Sequence, residues 1–148
     1  MNIGTILVPT DFSKDGDNAL AKAVDLAKLL RAKLVVLHAY HVDLPIASPM
    51  VGAYTLPPRF YEQVRSEATA QVEKTAHELA ARGIEASGIA VSEPASVAIV
   101  EQAERLPADL IVMGTRGLSG LKHVLLGSVA ERVIREAPCP VLTVKAGS

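Results

Sequence analysis

Leu110-Ile111-Val112-Met113-Gly114-Thr115-Arg116-Gly117, then nine residues, then Gly127-Ser128 and the run Val129 to Ala137, is the stretch on which the fold turns. Four consecutive apolar residues closed by glycine are too few for a helix and read as a strand buried on both faces. Val129 to Ala137 is amphipathic and reads as a helix. The segment is therefore strand, glycine-punctuated loop, helix, one step of a parallel α/β sheet.

The same alternation extends in both directions. Thr5-Ile6-Leu7-Val8 ends at Pro9 and reads as the first strand. Gly16 to Arg31 carries Leu20, Ala23, Val24, Ala27 and Leu30 at helical spacing, with Lys22, Asp25 and Lys28 largely off that face. Leu34 to Ala39 is a second strand. A long helix follows from about Arg59, with Phe60, Val64, Ala68, Val72, Ala76 and Leu79 on one side and Arg82-Gly83 as its stop. Ile84 to Val91 is a weaker third strand containing Gly88, Ser96 opens a short helix ended by Pro107, and Val141 to Val144 is the fifth strand. Apolar strands separated by helices predict one α/β domain over residues 1–148, a doubly wound parallel sheet with helices on both faces.

The 148 residues are 49% hydrophobic but only 3% aromatic, so the core is expected to consist of Val, Leu, Ile and Ala. Net charge is −1 with Lys and Arg scattered, which argues against a nucleic-acid surface. A single cysteine, Cys139, fits a reducing compartment. Met1 to Thr5 shows no signal-peptide pattern, and no apolar run approaches the roughly 18 residues of a membrane span. These features predict a cytoplasmic chain without a membrane partner.

Glycine admits close backbone approach, and a helix N-terminus offers unpaired N–H groups with about half a positive charge. Gly114 at the strand end, Gly117 in the loop and Gly127-Ser128 at the helix start therefore predict a phosphate site. Any one of these glycines is ordinary in a strand-to-helix loop; the complete spacing is what points to a nucleotide. Two other phosphate motifs are absent: no G-x-x-x-x-G-K-[ST] occurs, and no G-x-G-x-x-G follows the first strand. Pro9-Thr10-Asp11-Phe12-Ser13 stands at the carboxyl end of strand one, where open parallel sheets bind ligands. If strands one and four are neighbours, Asp11 and Gly114 share a crevice, and Asp11 suits a ribose or an adenine amino group. Asp11 or Ser13 also suits a cap on the following helix, and both roles are compatible.

Pro9-Thr10-Asp11-Phe12-Ser13, Leu37-His38-Ala39, Ala108 to Gly114, the G-2x-G-9x-G-S spacing and Pro138-Cys139-Pro140-Val141-Leu142 together resemble the universal stress protein family, nearly end to end and in order. The glycine spacing is similar to that of its ATP-binding branch. The resemblance implies a five-stranded parallel sheet of order 3-2-1-4-5 with ATP, accompanied by Mg²⁺, across the ends of strands one and four. It implies Pro9, Thr10 and Asp11 beside adenosine, and the Ala39 backbone at adenine. Met113, Gly114, Arg116 and Gly117 would border ribose and phosphates, with Gly127, Ser128 and Val129 at the phosphate tail. Val or Ile more often stands in the family where this chain has Ala39. The resemblance further implies a nucleotide-responsive stress or signalling protein with at most slow ATP hydrolysis; the alternative is a nucleotide-free interaction module on the same fold. In that strand order Val141 to Val144 forms an apolar, uncharged sheet edge, and a homodimer through this strand is expected.

Other chemistry is sparse. His38 and His41, three apart on a strand, would face opposite sides and make a poor metal pair. Neither His77 nor His123 has a companion at ligand spacing. Cys139 reads as a small structural thiol, and Lys122 and His123 as loop charges within possible reach of a triphosphate. There is no G-x-S-x-G elbow or triad order. The third strand ends Val91-Ser92-Glu93, without the Asp of a phospho-receiver. His41 to Pro58 is the one long irregular segment, a length typical of a lid or a mobile connection.

Overall fold

The apolar runs become five parallel strands: β1 (Thr5–Pro9), β2 (Lys33–Ala39), β3 (Ala86–Val91), β4 (Leu110–Gly114) and β5 (Val141–Val144). Four helices connect them: α1 (Lys14–Leu30), α2 (Pro58–Ala81), α3 (Ala95–Arg105) and α4 (Ser128–Glu136). The computed structural model describes residues 2–41, 56–117, 125–145 and 147, and these bounds apply throughout. Most of the His41 to Pro58 segment, together with Lys122 and His123, lies outside them.

The sheet order is β3-β2-β1-β4-β5, with every pairing parallel. The chain winds outward through β2 and β3, crosses back, and continues through β4 and β5. The reversal leaves a crevice between the carboxyl ends of β1 and β4, the usual ligand position of such sheets.

Strand alternation sorts the core into two layers. Ile6, Val8, Leu34, Val36 and Val112 face α1 and α2, joined by Ala23, Val24 and Val72. Leu7, Val35, Leu37, Ile111 and Met113 face α3 and α4, joined by Ile99, Ala103, Ala130 and Val133. The expected aliphatic core is what forms. No helix among the described residues is long and apolar enough to cross a membrane.

Helix boundaries depart from the sequence expectation for identifiable reasons. α1 begins at Lys14 rather than Gly16, because Ser13 Oγ accepts the Gly16 N–H at 3.2 Å and caps the helix from further back. It ends at Leu30, with Arg31 in the left-handed region (φ 56°). α2 closes as expected: Gly83 takes φ 79°, its N–H reaches Ala80 O and the Ile84 N–H reaches Leu79 O, two bonds that define a Schellman turn. That turn uses Ile84, so β3 starts two residues later than the apolar run implied. At 1.5 Å per residue, 24-residue α2 is about 36 Å long against about 20 Å for six-residue β3. The helix overhangs the sheet, and Phe60, expected on the buried face, is 41% exposed. Gly88 is where α2 crosses most tightly; a Cβ there would lie 2.6 Å from Val72 O.

Candidate nucleotide cleft

The crevice between β1 and β4 holds a cleft of about 600 Å³, part of it open to solvent. Leu37 and Ala39 of β2, Met113 of β4, and Ala95, Ile99 and Ala130 of the helices make its apolar side. Pro9, Thr10, Asp11, Thr115 and Arg116 contribute its polar edge, and Gly16, Gly114, Gly117 and Gly127 line the close approaches. Of the residues singled out from sequence, Pro9, Thr10, Asp11, Ala39, Met113, Gly114, Arg116, Gly117, Gly127 and Val129 all meet here. Ser128 does not line the cleft; it is the first residue of α4 and its side chain is exposed.

The turn after β1 is held by its own side chains. Thr10 Oγ1 accepts the Phe12 N–H at 3.0 Å, and Asp11 Oδ1 accepts the Ser13 N–H at 3.0 Å. Ser13 is thus the cap, while Asp11 shapes the turn leading to it. Phe12 sits at φ 59°, uncommon for a bulky residue. The Thr10 N–H continues the ladder to Leu37 O at 2.8 Å.

Glycines at the cleft serve chain packing more than was foreseen. Gly114 lines the cleft and is also packed from behind: a Cβ there would stand 3.0 Å from Asp15 Cβ and 3.1 Å from the Asp15 carbonyl. Its smallness lets β4 end directly against the first turn of α1. A Cβ on Gly117 would lie 2.7 Å from Asp11 Oδ2, so this loop runs against the acidic turn across the crevice. None of Gly114, Gly117 and Gly127 needs a positive φ; among the described glycines only Gly83 and Gly147 do.

Charge is concentrated at one edge. Arg116 Nε lies 3.4 Å from Asp15 Oδ2, with the carboxylate side chain 11% exposed. Asp15 and Asp17 in the first turn of α1 complement its dipole. α4 starts differently. Gly127 is its cap and no side chain among the described residues closes it, while the Gly127 N–H itself is taken by Thr115 O at 2.6 Å. The first intrahelical bond runs from Glu131 N to Gly127 O, so the N–H groups of Ser128, Val129 and Ala130 precede the helical ladder. That donor set suits a phosphate.

The walls from α3 and α4, Ala95, Ile99 and Ala130, were not anticipated, nor were Gly16, Leu37 and Thr115. Small apolar residues on a helix look the same whether they face a core or a cleft. His38 is on the other face of β2 from Leu37 and Ala39, and His41 lies past the strand end, so strand alternation does not relate the two histidines. No cluster of three or more His, Cys, Asp or Glu among the described residues is placed to hold a metal. Cys139 is half-buried against the α3–α4 layer, and its burial, with the Asp109 carboxylate nearby, pushes the thiol pKa up, away from the reactive thiolate.

The family profile described as "Universal stress protein family" matches residues 2–145. Universal stress protein MJ0531 of Methanocaldococcus jannaschii is 39% identical over 140 residues, spanning 95% of this chain and 81% of that protein. The solved structure of MJ0577 from the same organism superposes with a TM-score of 0.81 at 28% identity, covering 100% of this chain and 99% of the other. A universal stress protein solved in complex with cAMP superposes with a TM-score of 0.71 at 27% identity, covering 99% and 100%. By sequence and by fold, the chain belongs to the universal stress protein family.

Proposed function

We propose that the cleft binds an adenine nucleotide, ATP with its Mg²⁺, and that the chain acts as a nucleotide-responsive stress or signalling protein. The carrying observation is the pairing of an apolar slot with an uncapped helix start. Leu37, Ala39 and Ile99 offer a flat base an apolar surface, Asp11 offers acceptors at the β1 end, and the first N–H groups of α4 face the anion. The relative solved with cAMP, which has the same fold at 27% identity, supports an adenine nucleotide in particular. Mg²⁺ would neutralise phosphate charge; the protein supplies no metal cluster of its own among the described residues. Among the described residues no nucleophile and base are brought together in the cleft, and we expect hydrolysis to be at most slow.

The β5 edge, with Leu142 41% exposed, is the surface through which we infer a cytoplasmic homodimer. Calorimetry on protein stripped of small molecules tests the central claim. Saturable binding of ATP is expected, and no heat at millimolar ATP, ADP, AMP and cAMP would reject it.

A further inference from the structure

We propose that His38 is a positioning residue for the nucleotide: it fixes the Thr10–Asp11 turn from behind the sheet without touching the ligand. The inference rests on the nucleotide-binding reading for its functional consequence, but not for its geometry.

His38 belongs to β2 one residue before Ala39, so its side chain lies on the opposite sheet face from the cleft residues Leu37 and Ala39. Its Nδ1 lies 2.9 Å from the Thr10 carbonyl oxygen. A carbonyl only accepts, so Nδ1 carries the proton, which fixes the tautomer of the neutral ring. The same ring lies 4.8 Å from the Phe12 ring, tilted by 55°. His38 therefore grips the turn at two points on either side of Asp11.

To the turn's own side-chain bonds His38 adds a hold from the neighbouring strand. Regular ladder bonding ends with Thr10 N to Leu37 O, and Thr10 O is the first carbonyl past it. Phe12 occupies the left-handed region, which side chains other than glycine rarely adopt. A relaxed turn would carry Asp11 away from the crevice, and Asp11 is already close-packed against Gly117 on the far side. Ordinary packing explains why an aromatic ring stacks on Phe12. It does not explain a ring nitrogen aimed at the one carbonyl that leads into the acidic turn.

The variants His38→Asn and His38→Gln separate the two accounts. Asn keeps an amide donor at the position of Nδ1, while Gln moves it one methylene farther out; both are polar and similar in bulk. In ligand-free protein, His38→Gln is expected to displace the amide resonances of Asp11, Phe12 and Ser13, and His38→Asn to return them close to wild type. ATP affinity should fall about tenfold in His38→Gln and stay within about threefold in His38→Asn, with thermal midpoints measured for both. Undisturbed Asp11 to Ser13 amides in His38→Gln, or equal disturbance in the two variants, would overturn the proposal whether or not nucleotide binds. If the amides respond as expected but wild type binds no adenine nucleotide, the nucleotide reading fails and the turn-holding role stands alone.

Discussion

Two helices start at the same crevice and are finished in opposite ways. α1 is closed from within: Ser13 caps it, Asp15 and Asp17 offset its dipole, and Arg116, two residues past β4, pairs with Asp15. α4 begins on Gly127 with no side-chain cap among the described residues, and its first N–H groups precede the helical ladder. A helix start that supplies its own acceptor needs no ligand; one that opens at a cleft without such an acceptor suits an anion. On the proposed reading, this difference sets which of the two nearby dipoles a phosphate meets.

The largest effect should come from forcing the two regions apart. Gly114→Val places a branched side chain where even a Cβ would stand 3.0–3.1 Å from Asp15, and should destabilise the fold by about 3 kcal/mol in urea unfolding. A loss below about 1 kcal/mol would mean that β4 and the α1 start are not tightly joined. Gly127→Val acts on the other start. Its φ of −75° admits valine, but a Cβ 3.2 Å from Thr115 O displaces the start of α4. The expected outcome is at least tenfold weaker ATP binding, about 1.4 kcal/mol, with the circular dichroism of a folded protein. Unchanged affinity would remove α4 from the phosphate site.

Ser13→Ala should cost about 1 kcal/mol of stability through the lost cap, seen as a lower denaturation midpoint. The most discriminating change is the smallest: Gly127→Ser gives α4 the kind of cap α1 already has. Stability should change by less than about 0.5 kcal/mol, because the cap's gain is offset by a Cβ 3.2 Å from Thr115 O, while ATP binding weakens about threefold as the hydroxyl competes for the same N–H groups. Tighter binding instead would show that the serine hydroxyl joins the phosphate site rather than closing it.

This contrast was only partly readable in the residues. The runs Thr5 to Val8, Leu34 to Ala39 and Leu110 to Met113 announce buried parallel strands because only a sheet covered on both faces tolerates uninterrupted apolar sequence. Gly127-Ser128 marks a helix start for an equally local reason. The roles of Gly114 and Gly117 were legible only as a need for smallness. What they make room for, Asp15 and Asp11, depends on β1 and β4 being neighbours, a contact more than 90 residues apart in sequence. Ser13 rather than Asp11 as cap depends on a turn at positive φ that phenylalanine rarely adopts. The α3 wall carries no signal at all, since Ala95 and Ile99 satisfy a core and a cleft equally.

Thr115 gives the sheet edge and the cleft a common hinge pin. Its N–H bonds to Val144 O at the end of β5, and its carbonyl accepts the Gly127 N–H at the start of α4. A displacement of β5 at Val144 would therefore reach the start of α4 through the Thr115 backbone, in addition to the short chain segment that joins α4 to β5.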